Sequence, residues 1–102
     1  MGQSRIEIDF AAANSQASKL EEIAEEMTRL ANQQLAGTIE TITSGWQGET
    51  AAAYISKAQT VKNNIAQTAK MLTAIAQTIR ADAKRIYAAE KAALEIAETR
   101  NY

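Results

Sequence analysis

The chain has 102 residues, a formal net charge of -1, 46% hydrophobic and 23% charged residues, and no cysteine, histidine or proline. That composition excludes disulfides, soft-metal sites, thiol nucleophiles and an imidazole general base, so an enzyme is not expected, nor any cofactor. The near-zero charge argues against nucleic acid as a partner. No apolar run approaches the roughly 18 residues of a membrane span.

Alanine and glutamine recur throughout and breakers are rare, which points to an all-α chain. The N-terminus, Met1 to Glu7, lacks the basic start and apolar core of a signal peptide, so any export is expected to bypass the general secretory route. Residues 1–8 read as a short extended lead-in, because Ile6 and Ile8 alternate with Arg5 and Glu7, and Asp9 is a good N-cap before Phe10. The first helix is expected over about 9–43, carried by a stripe that includes Ala17, Leu20, Ile23, Ala24, Met27, Leu30, Ala31, Leu35, Ile39 and Ile42. Gly37 lies inside it and is read as a small residue that lets a neighbouring helix approach closely.

An elbow follows at 44–48, Ser44-Gly45-Trp46-Gln47-Gly48, with the only tryptophan and two of the four glycines. Both glycines are expected to supply backbone freedom for the turn. The second helix is expected over about 49–97. Ala51, Tyr54, Ala58, Val61, Ile65, Thr68, Leu72, Ile75, Ile79, Asp82 and Ile86 fall on alternating steps of three and four, a heptad seam with nine of eleven positions apolar or aromatic. Asp82 within that seam is expected to be exposed or paired with Arg80 or Arg85.

Two long arms joined by a short elbow give an antiparallel helical hairpin, one domain over 1–102. Residues 1–50 carry a net charge of -5 and residues 51–102 a net charge of +4, so the arms are complementary. A turn centred on Trp46 sets residue i opposite 92 − i. Glu7 and Asp9 then face Arg80, Lys84 and Arg85, and a C-terminal overhang of about 86–102 is left with no partner on its own chain. The apolar stripes are wider than one interface needs, as Ile23 beside Ala24 and Met71 beside Leu72 illustrate. A dimer forming a four-helix bundle is therefore expected, with Leu20, Met27, Leu30, Tyr54, Val61, Ile65, Leu72, Ile75 and Ile79 in the dimer or core seam. A homodimer is the simplest form, and a heterodimer with a related chain is the variant.

With its central Trp46-Gln47-Gly48, two helical arms and hundred-residue length, the chain resembles the WXG family of small secreted helical hairpins. These are the early-secreted-antigen-like substrates of type VII (ESX) secretion. The resemblance implies a non-enzymatic protein, cytoplasmic before export and extracellular after it, exported as a folded dimer. It also implies a signal read by the secretion ATPase, which combines the elbow of one subunit, Trp46 and Gly48, with the partner's C-terminal tail. In the tail, Tyr87 is followed four residues later by Lys91 where the actinobacterial pattern has an acid. Ile86, Glu90, Ala93 and Ala97 fit the looser Gram-positive spacing. Ile86 and Glu90 are therefore the expected tail residues, with Tyr87 beside them. The alternatives are an export chaperone for a larger type VII toxin and a membrane-perturbing protein.

Overall fold

The computed structural model describes residues 5–100; the first four residues of the lead-in expected over 1–8, and the last two residues of the chain, lie outside that range. Helix α1 covers Arg5–Arg29, a π-helical stretch covers Leu30–Leu35, α2 covers Ala36–Gly45 and α3 covers Glu49–Arg100, with no strand among the described residues. The fold is the all-α helical hairpin that the patterning predicts. Its contacts group into two compact units, residues 5–20 with 74–100 and residues 21–73.

The first arm starts earlier than expected. Residues 5–8 are helical, so Asp9 lies inside α1 and does not cap it. Ile6 and Ile8 suggest a period of two, but Ile6, Phe10 and Ala13 also stand at i, i+4 and i+7. That helical stripe is the one that finds apolar partners, Ala83, Ile86 and Tyr87. Burying it favours an extra turn, while Ile8 is left exposed.

The most buried side chains are small. Ala17, Ala24 and Ala31 in the first arm and Ala51, Ala69 and Ala76 in α3 are buried, and Ile39 is the only larger residue with them among the described residues. Alanine at seven-residue steps allows two antiparallel helices to approach closely, and it fixes which face of each arm turns inward. The step lengthens to eight between Ala31 and Ile39, across the π-helical stretch. A π-turn takes up one residue more than an α-turn, so Ile39 returns to the buried face that a continuous α-helix would have turned it away from. The Thr38 hydroxyl donates to the Gln34 carbonyl at 3.0 Å and so satisfies one acceptor in this irregular stretch.

Gly37, one residue into α2, does not serve close approach. A Cβ placed there meets nothing within 4 Å.

Candidate functional site

The elbow is tighter than the sequence suggests. Helix α2 runs through Gly45, and only Trp46, Gln47 and Gly48 separate it from α3. Trp46 is extended, at φ -111° and ψ 142°, and its N–H donates to the Ile42 carbonyl at 2.8 Å, closing the last turn of α2. Gly48 has φ +103°, a conformation that side chains rarely adopt, and its carbonyl accepts the Ala52 N–H at 3.1 Å to start α3. Glu49 in that first turn suits the positive end of the helix dipole. Of the two elbow glycines, only Gly48 supplies special backbone freedom; Gly45 ends a helix at negative φ.

The geometry leaves the indole of Trp46 accessible. Its relative exposure is 55%, and the Tyr54 ring meets it edge-on, with centroids 5.9 Å apart and planes at 89°. A tryptophan that only plugged the end of the hairpin would be covered. Here two aromatic side chains, the second itself 58% exposed, form a small pad on the turn. The heptad spacing puts Tyr54 in the seam, and its position in the second turn of α3 brings it back to Trp46.

The tail residues lie in the other unit. Phe10 and Tyr87 are in ring contact, with centroids 4.6 Å apart and planes at 34°. Ile6, Phe10 and Ala13 from α1 and Ile86, Tyr87 and Glu90 from α3 line a cavity of about 150 Å³. Lys91 places its Nζ 5.5 Å from the Tyr87 ring centre. A hydrogen bond and charge interaction with Tyr87, followed by the charges of Glu7 and Glu95, hold the Lys91 pKa above its ordinary value.

The expected overhang is therefore too long. Residues 86–91 have a partner on their own chain. The register explains the difference: Phe10 meets Tyr87 where the expected pairing sets Asp82, and Arg80 donates to the Ser18 Oγ at 2.9 Å where Ala74 was expected opposite. Two physical causes act together. The turn is centred on Gln47, one residue later than assumed, and helical side chains lean toward their own N-terminus, which moves each contact further along both arms. Glu7 lies close enough to Lys91 for its charge to raise the Lys91 pKa. Asp82 is exposed and accepts from Arg85 at 3.0 Å, one of its two expected pairings.

The heptad seam divides. Leu20, Met27, Ile65, Leu72 and Ile79 are half-buried, whereas Leu30, Tyr54, Val61 and Ile75 are exposed. The inward face of α3 takes Ala69, Ala76 and half-buried Ala83 instead of Thr68, Ile75 and Asp82. Small residues win the close-packed positions and the larger ones are left facing out.

The three-residue turn thus carries an exposed aromatic pad, and no described helix is long and apolar enough to cross a membrane. The chain belongs to the WXG100 family, described as proteins of 100 residues with WXG, whose family model matches residues 5–91. This is the family of small type VII secretion substrates, which are non-enzymatic and typically form dimers. No curated protein and no solved structure matches the chain.

Proposed function

We propose that this protein is exported as a folded homodimer by a type VII system of a Gram-positive bacterium, and that its signal is composite. Trp46 and Gly48 on one subunit act with Ile86 and Glu90 on the other, and the secretion ATPase reads the pair. The observation that carries this reading is the exposed Trp46 indole within a family match that spans both motifs. An indole in water offers a large contact area and an N–H at low entropic cost.

The surface favours a dimer. Ile23, Leu30, Tyr54, Val61 and Ile75 are large apolar side chains left between 38% and 58% exposed, and a second copy packed on them would take them out of water.

The test compares culture supernatant with lysate for the wild type and for Trp46→Ala and Glu90→Ala, with the secretion ATPase present or deleted. Export that requires the ATPase and is lost in both variants supports the reading. Export unaffected by all three changes overturns it. A second reading, an export chaperone for a larger toxin, draws on exposed Leu94 and Ile96 beyond the stretch that α1 covers. It requires purification as a stable heteromer in place of a homodimer.

A further inference from the structure

We infer that Phe10 is a positioning residue for the tail motif, so that the first turns of α1 form a third part of the export signal. The inference rests on the reading of Ile86 and Glu90 given above, and goes beyond it by assigning a role to the N-terminal arm. Three observations carry it. The Phe10 ring lies 4.6 Å from that of Tyr87, which sits between the two signal residues in sequence. The cavity wall is shared between Ile6, Phe10 and Ala13 on one arm and Ile86, Tyr87 and Glu90 on the other. Exposure is divided along the motif: Tyr87 is half-buried, while Ile86 and Glu90 remain exposed.

Together these describe an anchor and a presented face. Tyr87 is held by Phe10 on the neighbouring arm and by Lys91 one turn along its own helix. With the ring fixed, α3 cannot rotate about its axis in this stretch without breaking the aromatic pair. Ile86 and Glu90, four residues apart, keep a constant orientation on their side of the helix. A receptor then meets an ordered pair of side chains and has little ordering entropy to overcome. Without Phe10, residues 86–91 would lose their only ring contact with the first arm and fray with the helix end.

The test uses the full chain as wild type, Phe10→Ala, Phe10→Tyr, Tyr87→Ala, the Phe10→Ala/Tyr87→Ala double variant, Ile86→Ala and Glu90→Ala. An aromatic pair of this kind is worth about 0.5–1.5 kcal/mol beyond its area burial, so Phe10→Ala should speed amide hydrogen exchange at 86–91 by about 2- to 12-fold or more. Exchange at 58–70 should stay unchanged, and Phe10→Tyr should restore protection. In the export assay, Phe10→Ala and Tyr87→Ala should each lower the exported fraction at an unchanged cellular level. The double variant should lose no more than either alone, and Phe10→Tyr should recover export. Export of Phe10→Ala at the wild-type level, with Ile86→Ala and Glu90→Ala defective, overturns the positioning role and leaves the tail reading intact. Wild-type export of Ile86→Ala and Glu90→Ala overturns both, whatever the exchange data show. Faster exchange throughout the chain in Phe10→Ala, with a lowered cellular level, assigns Phe10 to general stability and also overturns the inference.

Discussion

Glycine at 48 and glycine at 45 look alike in sequence but do different things. Gly48 holds φ +103°, where a Cβ is strained even with open space around it, so Gly48→Ala should cost about 1–2 kcal/mol. Gly45 and Gly37 are helical with nothing within 4 Å of an added Cβ, and Gly37→Ala should stabilise by up to about 1 kcal/mol. Thermal melts of the three alanine variants check this ordering directly. Lys91 offers a second residue-scale test. Its pKa is raised, first by the hydrogen bond and charge interaction with Tyr87, so its contribution is fully present below the ordinary lysine value and lost as pH rises through the folded value. An NMR titration should place Lys91 above the ordinary lysine range of about 10.4, and Tyr87→Phe should return it there. The sequence made Trp46 and Gly48 stand out by rarity. It did not reveal Phe10 or the pairing of Tyr54 with Trp46, because those contacts depend on which turn of one helix meets the other arm.

At the scale of elements, helical content and the short turn were legible from the absence of proline and from the three-four spacing. The inward face was only half legible. Pattern reading weights large apolar side chains, so it assigned Tyr54, Val61 and Ile75 to the seam together with Ile65 and Leu72. Close antiparallel packing selects small residues: Ala24 and Ala31 are buried as the stripe predicts, but in α3 Ala69 and Ala76 take the inward places. The π-helical stretch was not legible either, since the eight-residue step from Ala31 to Ile39 hides among ordinary steps of three and four. That step yields a prediction. Deleting Gln33, which is exposed in the π-stretch, shortens it to seven and converts the stretch to α-helix with both residues still inward. Deleting Glu22, between Ala17 and Ala24, shortens an interval that is already seven and turns one of those alanines out of the core. Circular dichroism melts should show the Gln33 deletion near wild type and the Glu22 deletion strongly destabilised, by about 2 kcal/mol or more.

For the whole molecule, the proposed homodimer links two features, because it would cover the exposed apolar side chains and assemble the proposed composite signal. Val61→Glu places a charge on an exposed apolar position of α3 and should shift the light-scattering mass from about 22 kDa to 11.0 kDa, with helicity retained. A wild-type mass of 11.0 kDa would rule out the homodimer. Tyr87 is engaged by its own chain, so the proposed trans pairing of elbow and tail rests on Ile86 and Glu90.

The most direct measurement is complementation between two defective chains. Trp46→Ala and Glu90→Ala, each with its own affinity tag, are expressed alone and together in a strain with an active type VII system, and the supernatant is assayed for both tags. A mixed dimer retains one intact elbow on one subunit and one intact tail on the other. The composite signal therefore predicts that neither variant is exported alone and that both appear outside when coexpressed. Continued retention of both chains, with mixed dimers recovered from the lysate, would contradict it.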